Sequence, residues 1–173
     1  MKSLSNIMIT IAVLLSAQIF AQITKVAIVA TGLTCSMCSN AINKQLKKLP
    51  EVNKVDIDLN TNTFSVYLKS NNNITPRTLK ESVEKAGFFV GSMVVTIDFN
   101  KQKIDDNIAV AANNIDFIFL DTDKKMLNGQ TKLKILDKGF VTAKEFKKMR
   151  KIYAKYASYE QSNTKNYHVQ VLK

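Results

Sequence analysis

The two cysteines of the chain, Cys35 and Cys38, both fall in the stretch "GLTCSMC" at residues 32–38. Thiols separated by two residues can clamp a soft metal ion, cycle as a redox pair, or close a structural disulfide. A helix N-terminus favours the thiolate form, through its unsatisfied N–H groups and partial positive charge. A helix is expected to begin at or next to Cys38, so the two sulfurs can converge on one small volume. No acidic residue precedes Glu51, and the sole histidine, His168, stands far along the chain. Two thiolates without a hard ligand make a soft, low-coordinate site that suits Cu(I), and equally Hg(II) or Ag(I). Structural Zn(II) normally takes four protein ligands, so zinc would have to join two copies of the chain. The expected state is accordingly a monomer or a metal-bridged dimer. Met37, between the cysteines, carries a further soft sulfur, although side chains in such a position ordinarily point to solvent. A disulfide across so short a loop would add little stability.

The elements that must position these thiols can be read from periodicity. "TKVAIVA" (residues 24–30) sets Val26, Ile28 and Ala30 on one side, as a strand does. "SNAINKQLKKL" spaces Ala41, Ile42, Leu46 and Leu49 as one helical face, with Lys44, Lys47 and Lys48 opposite and Pro50 closing it. "VNKVDIDLN" and "TFSVYLK" alternate across Asn60-Thr61-Asn62 and predict a hairpin. "TPRTLKESVEKAG" predicts a second helix with Thr75 as N-cap, Pro76 in its first turn, a stripe of Leu79, Val83 and Ala86, and Gly87 as its stop. "FVGSMVVTIDF" supplies a fourth strand. The order β-α-β-β-α-β is that of a ferredoxin-like α+β fold, with an antiparallel sheet and both helices on one face.

The run from Gly32 to Phe88, "GLTCSMCSNAINKQLKKLPEVNKVDIDLNTNTFSVYLKSNNNITPRTLKESVEKAGF", resembles the heavy-metal-associated (HMA) domain. That domain occurs in copper chaperones, in the N-terminal regions of copper-transporting ATPases and in the periplasmic mercury-binding protein. The likeness spans about residues 23–97 and joins the cysteine motif, the element order and the terminal "AGF" at matching distances. It implies that Cys35 and Cys38 are the metal ligands and that metal moves by thiolate exchange, through an intermediate shared with a partner's cysteines. Gly32 and Thr34 match the start of the family's loop, and Ala86-Gly87-Phe88 the end of its second helix. Leu33 stands where the family most often has Met, a modest packing change. Phe88 stands where soluble chaperones tend to carry Lys or Tyr and ATPase-attached domains often carry Phe. Thr34 replaces the acidic residue that zinc-transporting relatives tend to carry, which favours Cu(I) over Zn(II).

A cysteine pair between strand and helix also suits a thiol–disulfide redox protein. Against that stand the lack of Trp, the lack of Pro between the cysteines, and the placement of Pro50 and Pro76 at helix boundaries. Residues 1–21 have Lys2, a short apolar core and Ala21, the make-up of a cleaved signal peptide with its cut near Ala21. The expected location is therefore periplasmic or secreted, with no membrane span after cleavage. There the thiols can oxidise to a disulfide unless metallated or kept reduced.

Residues 22–99 are expected as the HMA domain, residues 100–115 as a linker or short helix, and residues 116–173 as a small α+β domain with the makings of a partial barrel. In that last part "DFIFL" and "TKLKIL" are expected as strands joined across the turn signal Asn128-Gly129. "VTAKEFKKMRKIYAKYASY" is expected as a helix with a Thr142/Glu145 capping box and an apolar side of Phe146, Met149, Ile152, Tyr153 and Tyr156. "YHVQVLK" is expected as a closing strand that leaves His168 at a surface or edge. Basic residues outnumber acidic ones 15 to 8 after residue 99, which suits solubility or an acidic partner more than nucleic acid. Taken together the sequence predicts not an enzyme but an extracytoplasmic protein that binds Cu(I) and transfers or sequesters it. Its partner would be a copper-transporting or copper-receiving protein, and Lys44, Lys47 and Lys48 could steer it. Hg(II) scavenging, thiol–disulfide exchange, and partner binding through the basic second part are the competing readings.

Overall fold

The computed structural model describes residues 21–34, 36–160 and 165–172. Residues 1–20 of the expected leader lie outside them. Strand β1 (Gln22–Thr31) buries Ile23, Val26, Ile28 and Ala30. Helix α1 (Ser36–Lys47) buries Ile42 and Leu46, one turn apart on a single face. Strands β2 (Val52–Asp58) and β3 (Thr63–Leu68) form the predicted hairpin, with Ile57 opposite Phe64. The Asp58 carboxylate accepts hydrogen bonds from the Asn60 N–H (2.9 Å) and the Thr61 hydroxyl (2.8 Å), and Asn62 takes the left-handed conformation at φ +52°. Helix α2 (Pro76–Lys85) starts as expected, with the Thr75 Oγ1 accepting from the Thr78 N–H at 3.2 Å and Pro in the first turn. Strand β4 begins at Phe89. The order β2-β3-β1-β4 is antiparallel throughout. With α1 packed on β2 and α2, and α2 on β4, this is the ferredoxin-like βαββαβ unit.

Beyond Phe99 the structure departs from expectation. β4 continues to Ile104, and strands β5 (Ala109–Ala112) and β6 (Ile115–Phe119) follow. The stretch expected as a linker or short helix is therefore mostly sheet. Its alternation was masked because Ala109, Ala111 and Ala112 have no strand preference and read as helix formers. Asn113 and Asn114 sit at φ +50° and +60° in the two-residue turn between β5 and β6, the geometry that favours Asn in tight hairpins.

Asn128-Gly129 is not a turn but lies inside strand β7 (Lys125–Ile135), which pairs antiparallel with β4. It faces a bulge in β4, where Lys101 takes φ +48° and its N–H donates to the Asn128 Oδ1 at 3.3 Å. β6 and β7 are not neighbours either. Strand β8 (Asn166–Val171) lies between them, antiparallel to β7 and parallel to β6. The result is one eight-stranded sheet, β2-β3-β1-β4-β7-β8-β6-β5, in which the ferredoxin-like unit is continued by the second half rather than followed by a separate partial barrel. A continuous apolar core runs from Ile23 to Val169.

A buried polar cluster joins the two parts. The Asn113 side chain accepts from the Ile23 N–H (2.9 Å) and donates to the Asn72 Oδ1 (2.8 Å) and the Ile74 carbonyl (3.3 Å). Being internal, β8 also buries His168, which is 2% exposed rather than at an edge. Its Nδ1 lies 2.8 Å from the Asp137 Oδ1, and its backbone N–H donates to the Asp137 Oδ2 at 2.7 Å.

Helix α3 (Ala143–Ile152) stops well short of Tyr159 and gives way to a 3-10 turn at Ala157–Glu160. Only half of the capping box forms. The Thr142 Oγ1 accepts from the Glu145 N–H at 3.2 Å, while the Glu145 carboxylate pairs with Lys134 at 2.6 Å. Tyr153, Tyr156 and Tyr159 are buried in a second apolar cluster with Ile118, Leu120 and Leu136. Ile152, predicted on the same side, is exposed. Burial raises the Tyr159 phenol above its ordinary range, and its hydroxyl donates to the Leu136 carbonyl at 2.7 Å.

Candidate metal centre

The cysteine loop hangs between the end of β1 at Thr31 and the start of α1 at Ser36. Cys38 is the third residue of α1, within its first turn and half-buried. Cys35 lies outside the described residues. The first turn of α1 carries no acidic residue, so the partial positive charge of the helix end acts at Cys38 without a compensating carboxylate. Ile42 and Leu46 fix the helix to the sheet, and that anchorage sets the position of the Cys38 backbone. Met37 is 81% exposed and points away from the interior. Leu33 is half-buried and packs against the core.

The end of α2 supplies the opposite wall. Gly87 sits at φ +88°, its N–H donating to the Glu84 carbonyl (2.8 Å) and that of Phe88 to the Val83 carbonyl (3.3 Å). This pair of bonds closes a helix C-terminus around a left-handed residue, the role Gly fills most readily. The turn brings Phe88 against the core and against the loop. A Cβ on Gly32, itself at φ +87°, would stand 3.9 Å from the Phe88 Cδ1. The Thr31 hydroxyl donates to the Phe89 carbonyl at 3.3 Å, so β1 and β4 are still joined at the mouth of the loop. Phe89 itself is 67% exposed. Sequence reading placed it in a strand and missed it as a surface feature. Its only signal was a second Phe directly after the "AGF" terminus.

Lys44 and Lys47 lie in the last turn of α1. At the helical rise they stand roughly 9 and 14 Å along the axis from Cys38. His168 is engaged with Asp137 and takes no part in the loop. Among the described residues no group of three or more His, Cys, Asp and Glu side chains comes together.

Residues 28–89 match the family of the heavy-metal-associated domain. Residues 28–89 are a heavy-metal-associated domain. A 64-residue stretch, 37% of the chain, is 42% identical to a copper-transporting ATPase of Saccharomyces cerevisiae. A 57-residue stretch, 33% of the chain, is 33% identical to the probable copper-transporting ATPase HMA5 of Arabidopsis thaliana. The chain spans only 6% of the length of either relative. Among solved structures, the yeast copper transporter domain Ccc2a, determined in apo and Cu(I)-loaded states, is 42% identical, with a TM-score of 0.35. That match covers 38% of this chain and 88% of the other. Oxidized MerP from Ralstonia metallidurans CH34 is 25% identical at a TM-score of 0.36, covering 39% and 92%. By sequence the heavy-metal-associated domain here is similar to segments of these ATPases, and β5 to β8 extend its sheet.

Proposed function

We propose that the protein binds Cu(I) through Cys35 and Cys38 and exchanges it with a copper-transporting or copper-receiving protein outside the cytoplasm. The observation that carries this reading is a CxxC pair at the strand–helix junction of a heavy-metal-associated domain, with Cys38 in the first turn of a helix that has no acid there. Two thiolates provide a soft donor set, and soft sulfur selects Cu(I) over hard cations. The similarity to copper-transporting ATPase domains supports copper as the cargo. The leader-like segment at residues 2–21 supports export. The protein acts as a carrier or store and not as an enzyme.

The test is a Cu(I) titration of the reduced protein from residue 22 onward against a strong competing chelator. The expected result is one equivalent bound by the natural chain and none retained by Cys35→Ser or Cys38→Ser at the same chelator concentration. Uptake that survives both substitutions would refute the site. Running Hg(II) and Zn(II) in parallel ranks the cargo, and disulfide-reductase turnover in the same preparation would transfer the assignment to redox chemistry.

A further inference from the structure

We propose that the groove between the ends of β1 and β4 and the start of α3 receives an acidic segment, anchored by an apolar side chain, of the protein with which metal is exchanged. The proposal rests on the reading that Cys35 and Cys38 exchange metal, and it adds the surface on which the partner sits.

The groove has a volume of about 730 Å³. One wall is Thr31, Phe89 and Val90, from the ends of β1 and β4 that flank the loop, and the other is built from Val141 and Phe146 at the start of α3. Thr31 directly precedes Gly32, the first residue of the loop, and Phe89 directly follows Phe88, which packs beside it. The groove therefore opens beside the strand end from which the loop departs. The closeness of the two walls is built in. A Cβ on Gly91 would stand 2.5 Å from the Thr31 Cγ2 and 3.8 Å from the Thr142 Cγ2. Glycine is what lets the end of β1 and the cap of α3 approach. An antiparallel bridge between Ser92 and Val141 fixes the same contact.

The rim of the groove is cationic. Lys138, Lys147 and Arg150 line it and make no ion pair among the described residues. The acids nearby are already engaged, Glu84 with Lys80 at 2.7 Å and Glu145 with Lys134 at 2.6 Å. Five of the ten residues of α3 are Lys or Arg. Positive charge on the rim and the exposed aromatic surface of Phe89 in one wall together fit a segment with carboxylates around an apolar anchor. A membrane fits less well. Phe146 and Met149, the apolar side of α3, turn inward onto the tyrosine cluster, whereas a helix lying on lipid turns that side outward. These cations also border the strand that leads into the loop, while Lys44 and Lys47 occupy the far end of α1.

The probe is a fluorescein-labelled peptide, EDLEDFE, titrated by anisotropy into the chain from residue 22 onward at low and high salt. The natural chain is expected to bind it in a salt-sensitive way, with amide shifts at Thr31 and Phe89. The double change Lys147→Glu with Arg150→Glu is expected to weaken binding by about tenfold or more. Lys44→Glu with Lys47→Glu is expected to change it less than about threefold, since those side chains do not line the groove and their more distant charges are screened by salt. Both variants should keep the natural unfolding temperature and Cu(I) affinity. Absence of peptide binding, equal loss in the two double variants, or Lys147- and Arg150-dependent binding to vesicles of phosphatidylcholine and phosphatidylglycerol without peptide binding would overturn the groove. Cu(I) uptake without peptide binding refutes the groove and leaves the metal site standing. Peptide binding by a chain that takes up no Cu(I) refutes the metal reading instead.

Discussion

α1 and α2 are anchored by side chains shut off from solvent, Ile42 and Leu46 on one and Leu79 and Val83 on the other, whereas α3 has no buried residue at all. The first two hold the loop and its neighbouring turn in place from behind. The third leans on the sheet through half-buried Phe146 and Met149 and is held by its cap and by the Lys134–Glu145 pair. In one half of the sheet helices are the support for a site. In the other a helix is itself a surface, with its charges turned outward.

Four substitutions test this contrast and the single sheet that underlies it. Leu133 stands opposite Val95 of β4 and Val171 of β8 and is fully buried. Leu133→Ala is expected to cost about 3 kcal/mol, and urea unfolding should remain one transition shared by both halves. Two separated transitions in hydrogen exchange, one for β1–β3 and one for β6–β8, would break the single-sheet picture. Asn113→Ala removes the acceptor of the buried Ile23 N–H and a left-handed Asn. A loss of about 2 kcal/mol is expected, with faster exchange at Ile23 as the signature that the two parts are joined there. Thr142→Ala deletes the α3 cap and should lower stability by about 1 kcal/mol. Exchange protection should fall in α3 while Cu(I) affinity and α1 protection stay put.

The smallest effect is on pH dependence. The Tyr156 hydroxyl lies 2.7 and 2.6 Å from the two Asp106 oxygens, donates its one proton to that carboxylate, and holds the carboxyl below its usual range. The unfolded chain then takes up the proton first as pH falls. The contribution is whole above the ordinary carboxylate value of about 4 and disappears as pH drops through the folded-state value. Tyr156→Phe should flatten the acid limb of the stability curve below pH about 4, and an unchanged limb would show that this hydrogen bond does not carry it.

The same contrast explains what could be read ahead of the structure. Each element of the first half advertises itself locally, through the alternation in 24–30, the spacing of Ile42 and Leu46, and the Thr75-Pro76 start and Gly87 stop of α2. Their pairing follows from chain order, and the strand–helix junction at the cysteines came with them. The second half is built on pairings distant in sequence, β4 with β7 and β8 between β7 and β6. No local pattern encodes those. Alanines hid β5, a Gly that serves a bulge imitated a turn, and His168 could not be placed until β8 proved to be internal. Phe89 and the groove depend on α3 meeting the start of β4, a contact that exists only in three dimensions.

The position of β8 has a consequence for the order of events as the chain is made. A chain that emerges N-terminus first completes β1 to β3, both anchored helices and the cysteine loop while β8 is still to come. Until β8 arrives, β6 has no partner on that side and β7 none beyond β4. The cysteine loop thus precedes β8 in the order of synthesis, whereas the sheet against which β6 and β7 are both paired is complete only with the last strand. The segment that carries both cysteines is therefore made well before the strand that joins the far half of the sheet to β7.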